Sequence, residues 1–424
     1  MSRVNIARGM RDLLPEKMMQ RKQVISKIQT IFESFGFLPL ETPAVERIET
    51  LMGKYGEEGG KLIFKILARG EKAALGTCDL ALRYDLTVPL ARVMAMNPGL
   101  PLPFKRYQIQ PVWRADRPQK GRFREFYQCD VDIVGSKSHL AEAECLAVVH
   151  QSLTSLGFEH FKIRLNDRRL LRAMIEQIGA LSQEGEVLSS IDKLDKIGEK
   201  GVRAELKDIR GLQDDAINKL FAMLNGEQSI AGMEEVELEL SKIRQAAILL
   251  GVSEERIVMD RKLARGLDYY TGPVFETVLT DADIGSVSGG GRYDGLIGMF
   301  SGKDVPAVGV SLGLERLLVI MDERGMFADA DDTPRVFVTV FSESLLGASL
   351  EASRKLRASG VSVTLSLKSN KLAKQMKAAH RQKIRNVVII GPDDLDSGLV
   401  QWKDLERGEQ RALSIEELCD LLNS

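Results

Sequence analysis

The stretch FKRYQIQPVWRADRPQKGRFREFYQCDVDIVG, residues 104–135, constrains the fold most. It reads as a β-hairpin with a long basic loop. In the second arm Phe123, Tyr127, Cys129, Val131 and Ile133 fall on one side, with Glu125 as the exception. Arg122, Arg124, Gln128, Asp130 and Asp132 fall on the other. Successive side chains of a strand point to opposite faces, so one face of this arm is apolar. The other is crowded with hydrogen-bonding groups.

The rest of the chain is arranged around this hairpin. A first helix is predicted over residues 16–35, where Val24, Ile25, Ile28, Ile31, Phe32 and Phe35 recur at helical spacing. Gly36 ends it, and FLPLETP follows as an extended segment broken by Pro39 and Pro43. In RYDLTVPLARVMAMNP, Thr87 and Pro89 lead into a short helix. Residues 167–256 are helix-rich, charged and poor in proline and strand formers. Strand-like chain resumes on both sides, so this segment reads as a helical insertion into a domain spanning 1–325. The acidic stretch GMFADADDTP predicts a linker at 326–333. After it RVFVTVF, a helix near 350–356, VSVTLSL, a basic helix and NVVIIGP alternate. That order predicts a small α/β domain over 334–424 with a largely parallel sheet, closed by the helix SIEELCDLLN.

The formal net charge of -1 leaves no global field, so a nucleic-acid partner would have to be met by local basic patches. The four cysteines are scattered, with no Cys-x-x-Cys pair, so neither a metal site nor a disulfide framework is predicted. Reduced thiols fit a cytoplasmic protein. The opening MSRVNIARGMRDLLP is charged where a signal peptide needs an apolar core, and no apolar run is long enough to span a membrane.

Several motifs carry chemistry. The hairpin loop holds Arg114, Arg117, Lys120, Arg122 and Arg124. A charge run usually means a solvated face. Here Arg114 stands beside Trp113 at the end of an apolar strand, and Arg122 and Arg124 share a face with two acids. A guanidinium holds phosphate oxygens through paired hydrogen bonds, which favours a polyphosphate site. SGGGRYDGLIGMF is neither a Walker loop nor a dinucleotide fingerprint; its glycines fit a bulge or a close backbone approach. VPAVGVSLGLERLL joins a glycine-rich strand to a helix with Arg316 in its first turns. It reads equally as a platform for a flat ligand or as a packing contact. RGLDYYTGPVFE combines a cation, two acids and tandem tyrosines, a mixture that neither a buried strand nor a solvated loop needs. In KSNKLAKQMKAAHRQKIR, Lys371, Lys374, Lys377 and Arg381 share a helical spacing. A solvated face and an RNA-backbone contact are both open there. The four histidines lie outside these motifs and are assigned no catalytic role.

Taken together, RGMRDLLP, Pro43, WRADRPQKGRFREFYQCDVD and VGVSLGLERL resemble the opening signature and the three ordered motifs of class II aminoacyl-tRNA synthetases. RGLDYYTGPVFE and SGGGRYDGL resemble the two segments peculiar to the histidyl-tRNA synthetase family. The resemblance covers nearly the whole chain. It implies an α+β class II catalytic domain, an antiparallel sheet flanked by helices, with a helical insertion and a C-terminal α/β anticodon-binding domain. It implies activation of L-histidine by ATP with Mg²⁺, transfer to the 3′-hydroxyl of tRNA(His), a homodimer and no tightly bound cofactor.

The resemblance also distributes roles. Arg265 and Arg114 would meet the α-phosphate, Arg114 also meeting the substrate carboxylate. Arg122 and Arg316 would clamp the γ-phosphate, and Asp116 would reach the adenine amino group. Asp85, Thr87 and Gln128 would hold the α-ammonium. Tyr270, with Tyr269 beside it, and Asp132 would read the two imidazole nitrogens, since neutral imidazole offers one donor and one acceptor. Lys371, Lys374, Lys377 and Arg381 would face tRNA. The main alternative is a non-catalytic, histidine-sensing paralogue that regulates ATP phosphoribosyltransferase. Such paralogues generally lack the C-terminal domain and lose motif residues.

Overall fold

Pro15–Ser34 form helix α1. Pro15 sits in its first turn, where a missing N–H costs nothing, and Gly36 turns the chain out of it with φ 76°. Val24, Ile28, Ile31 and Phe32 are buried along one side, each contributing about 1.5–3 kcal/mol. This is a computed structural model that describes residues 4–54, 56–264, 269–327, 335–369 and 371–423. The chain divides into two units, Met1–Met326 and Phe327–Ser424. Residues 328–333 of the expected linker lie outside the described residues.

The first unit is built on an eight-stranded sheet. After β1 (Leu38–Pro39) come α2 (Thr87–Met96), β2 (Phe104–Trp113), β3 (Glu125–Val134), α3 (His139–Ser155) and β4 (Phe161–Asp167). The helices Arg168–Gln177, Glu184–Ile191, Leu194–Asp208, Asp214–Leu224 and Glu234–Leu249 intervene. The sheet resumes with β5 (Ile257–Met259), β6 (Pro273–Leu279), β7 (Ser286–Arg292) and β8 (Ala307–Gly313), and α4 (Leu314–Glu323) follows. The spatial order is β1-β2-β3-β8-β7-β6-β4-β5. The six central strands pair antiparallel, and the two edge strands join in parallel.

The hairpin alternation holds in space. Cys129, Val131 and Ile133 are buried in an apolar layer, and α3 packs on β3, β7 and β8. Gln128, Asp130 and Asp132 face the other way and line a cavity. Strand β3 begins only at Glu125, so Arg122 and Arg124 belong to the loop and not to the strand's polar face. Arg122 is held there by a bridge to Gln119.

The second unit has a five-stranded sheet of β9 (Arg335–Val338), β10 (Ser362–Leu365), β11 (Asn386–Ile389), β12 (Val400–Asp404) and β13 (Gln410–Leu413). Helix α5 (Leu372–Arg381) precedes β11. β9 pairs in parallel with β10 and β11, but β11–β12 and β12–β13 are antiparallel. The sheet is therefore mixed and not largely parallel. The physical reason is the hairpin QWKDLERGEQRAL, which turns at Gly408 with φ 72° where a crossover helix would be needed for a parallel pair.

Candidate active site

A cavity of about 650 Å³ opens on the polar face of β3. One group of its lining residues is Asp85, Thr87, Gln128, Asp132, Tyr269 and Tyr270. A second group is Arg114, Asp116, Arg122 and Arg316. These are residues from five separate stretches of chain, brought together by the antiparallel sheet. Arg265 lies outside the described residues. Lys371, Lys374, Lys377 and Arg381 lie in the second unit, all exposed on or beside α5. Buried Gln375 exchanges two hydrogen bonds with the Val340 backbone, at 2.9 and 2.8 Å, which fixes that helix with its basic side outward. Among the described residues none of the four histidines lines the cavity.

In the first group Asp85 is buried and accepts from the Val88 N–H at 3.0 Å, closing the first turn of α2. Thr87 is the first residue of that helix, so Asp85 and Thr87 flank a helix start and not an extended segment. The Tyr269 hydroxyl donates to Asp85 at 3.4 Å, and its ring meets Tyr270 edge-on, 5.0 Å between centroids. Burial, and then the nearby Asp132 charge, push the Tyr270 phenol up, so it remains an O–H donor. Asp132 accepts a short hydrogen bond from the Tyr293 hydroxyl and lies 2.7 Å from the Arg106 guanidinium. Burial raises its carboxyl, while Arg106 and the Tyr293 bond pull it back. Asp130 is pushed up to about 7, mainly by burial and further by Asp132 and Asp85, against Arg106 and a Ser311 hydrogen bond. Gln128 donates to Ser311 at 3.1 Å.

Backbone closeness shapes this seat. A Cβ at Gly309 would stand 1.9 Å from the Asp132 carboxylate, and one at Gly290 would stand 2.2 Å from the Gly309 carbonyl. Only glycine fits either place.

In the second group the Arg114 guanidinium lies over Tyr84, 4.3 Å from the ring centroid, and near Phe126 at 5.2 Å. Its Nε donates to the Tyr84 carbonyl at 3.0 Å and its Nη2 to Gln128 at 3.5 Å. A stacked, tethered guanidinium is aimed before any ligand arrives. Arg122 and Asp116 pair with each other at 3.3 Å. Arg316 donates to the Ser286 carbonyl. Its neighbour Glu315 is buried and accepts from Arg21 at 2.7 Å and from Arg11. The opening RGMRDLLP segment and α1 thus fix the start of α4.

This combination of cavity and sheet agrees with the comparisons to known proteins. Residues 9–317 match the histidyl-tRNA synthetase family model. The chain belongs to the histidyl-tRNA synthetase family. Residues 335–424 match an anticodon binding domain. A histidine–tRNA ligase of Gloeobacter violaceus is 43% identical, with 96% of each chain covered. The crystal structure of histidyl-tRNA synthetase from a Nostoc species matches with a TM-score of 0.82 at 32% identity, covering 99% of each chain. A structure of an ATP phosphoribosyltransferase regulatory subunit/histidyl-tRNA synthetase from Bacillus halodurans matches with a TM-score of 0.74 at 23% identity. It covers 92% of this chain and 99% of that one, a likeness that shows the fold alone.

Motif reading does not single out Arg106, Tyr293 or Asp130 in this member of the synthetase family. Their signal is register. Arg106 and Asp132 are direct partners across β2 and β3, as are Gln108 and Asp130. The polar residues Arg106, Gln108 and Gln110 alternate along β2 as Gln128, Asp130 and Asp132 do along β3. Tyr293 stands in GGGRYDG, where the glycines draw attention from it.

Proposed function

We infer that the chain is a histidine–tRNA ligase, which activates histidine with ATP and transfers it to tRNA(His). The observation that carries this is one cavity with two chemically different groups of lining residues. One offers buried carboxylates and tyrosine hydroxyls; the other offers arginines on a loop and a helix. Tyr270 would donate to one imidazole nitrogen while Asp132 accepts from the other. Asp85, Thr87 and Gln128 would hold the α-ammonium. The substrate carboxylate, steered by Arg114, would attack the α-phosphorus in line and expel pyrophosphate, with Arg114 and Arg265 stabilising the charge that develops. Arg122 and Arg316 would hold the γ-phosphate, and Asp116 the adenine amino group. The terminal adenosine 3′-hydroxyl of tRNA would then attack the adenylate carbonyl.

Among the described residues no cluster of three or more His, Cys, Asp or Glu could hold a metal. Mg²⁺ would therefore arrive on the β- and γ-phosphates as part of the substrate. The anticodon-binding domain at 335–424, with Lys371, Lys374, Lys377 and Arg381 on its exposed helix, would take the RNA, and the helical segment within 167–256 the acceptor arm. Its presence, together with full-length relatives, counts against the regulatory paralogue. We also propose a homodimer through α1 and the Pro43 segment, where Leu38, Leu14 and Met19 stay exposed in the single chain. Among the described residues no helix is long and apolar enough to cross a membrane; we propose a cytoplasmic location.

ATP–pyrophosphate exchange with each of the twenty amino acids tests the reading. Exchange with histidine alone is expected, and Arg265→Ala should abolish it. Histidine binding by calorimetry without any exchange would return the regulatory paralogue.

A further inference from the structure

We propose that Arg106 is a positioning residue for histidine binding: it braces the imidazole acceptor Asp132 and the ammonium-holding turn at Asp85 and Thr87 in one arrangement. The proposal rests on the histidine-activating reading above. Arg106 is fully buried, on β2 directly opposite Asp132. Its Nη2 forms an ion pair with Asp132 Oδ2 at 2.7 Å and donates its hydrogen bond to the Leu86 carbonyl at 3.1 Å. Leu86 is the residue between Asp85 and Thr87. One guanidinium edge therefore touches both halves of the amino-acid seat. Its Nη1 donates to Gln108 at 3.3 Å.

Packing does not explain this residue. The Arg106 Nε–H finds no acceptor among the described residues. A buried arginine with an unbonded N–H stabilises a fold less than an apolar side chain of similar size would. What it supplies is charge where charge is short. Asp132 faces Asp130 on its own strand, the Tyr293 and Tyr270 hydroxyls, and the Cys145 thiol from α3; Asp85 lies close by. Among the described residues Arg106 is the cation in that group. Asp130 already takes a proton near pH 7 with Arg106 in place; without the guanidinium, which holds the Asp132 carboxyl down, Asp132 would be drawn toward protonation as well. A protonated Asp132 loses acceptor capacity it needs for the Tyr293 O–H and an imidazole N–H together.

The test uses the full-length wild type, Arg106→Met and Arg106→Lys in histidine-dependent pyrophosphate exchange. KM for histidine and for ATP are read separately between about pH 6 and 8. The wild-type profile removes the titration of histidine itself. Arg106→Met should raise KM for histidine about tenfold or more at the acid end, with the defect narrowing as pH rises. KM for ATP should stay within about twofold, and Arg106→Lys should recover most of the loss. A histidine KM that is unchanged, or one that rises with the ATP KM at every pH, overturns the proposal. If Arg106→Met fails to fold, the double variant Arg106→Met/Asp132→Asn removes both charges. It should fold and bind histidine no worse than Asp132→Asn alone; a further loss overturns the coupling. A wild type that shows no histidine exchange overturns the functional reading as well, whereas an active wild type beside an indifferent Arg106→Met overturns this inference alone.

Discussion

Arg106 is 0% exposed and faces Asp132 at 2.7 Å, whereas Arg122 is 47% exposed and faces Asp116 at 3.3 Å. Asp132, Asp116 and Arg122 line one cavity, and Arg106 is buried against Asp132. The first pair is dry, and its partners are locked by strand register. The second is wet, and its arginine sits on a loop. An exposed pair is worth about 0–1 kcal/mol, so a phosphate can displace Asp116 from Arg122 at little cost. A buried pair cannot be exchanged so easily, since breaking it strands a charge. On the proposed function, the buried pair would serve selection of the amino acid and the exposed pair release of the nucleotide.

Arg114 belongs to the second group of lining residues and donates to Gln128 of the first, so its loss should be the most severe. Arg114→Ala is expected to lower exchange by about 10³-fold while the unfolding midpoint moves little. Exchange near the wild-type rate would separate the two ends and remove Arg114 from the chemistry.

The dry end has its own signature in stability. Asp130 is pushed up to about 7, chiefly by burial. Its folded value lies above an unfolded value of about 3.9, so its contribution to stability is fullest below that value. That contribution is lost as pH rises through about 7. Asp130→Asn has no such loss. In urea unfolding the variant should gain on wild type by about 2 to 4 kcal/mol between about pH 5 and 8. Parallel curves would mean that Asp130 is not buried as described.

The smallest effect belongs to the wet end. Arg122→Ala should raise KM for ATP about tenfold, leave KM for histidine unchanged, and matter less as salt is added. An equal rise in both constants would erase the distinction between the ends.

Sequence reasoning reached the wet end more readily than the dry one. Arg114 and Arg122 stand out because one is beside Trp113 and the other reads onto a face with two acids, whereas Arg316 stays balanced between a ligand contact and a packing one until the resemblance is added. The alternation of Gln128, Asp130 and Asp132 was equally plain. Arg106 was not, because its meaning depends on which residue of β3 lies across from it. The loop between the strands is too long for its ends to fix that register. Thr87 illustrates a second limit: the sequence leads it into a short helix, as observed, but does not show that Asp85 closes the first turn by accepting from the Val88 N–H, a contact across three residues. The mixed C-terminal sheet illustrates a third, since a strand's direction depends on the connection before it and not on its own apolar pattern.

Gly309 lines the cavity without a side chain, and a methyl there would meet the Asp132 carboxylate at 1.9 Å. One carbon atom would therefore displace the carboxylate proposed to accept the imidazole N–H, with no arginine replaced in the sequence. In sorting related chains into working enzymes and silent copies, alanine at this position would flag a silent copy even where all the familiar charged residues survive. The same methyl would give a laboratory a way to switch off recognition of the amino acid while leaving the nucleotide end intact.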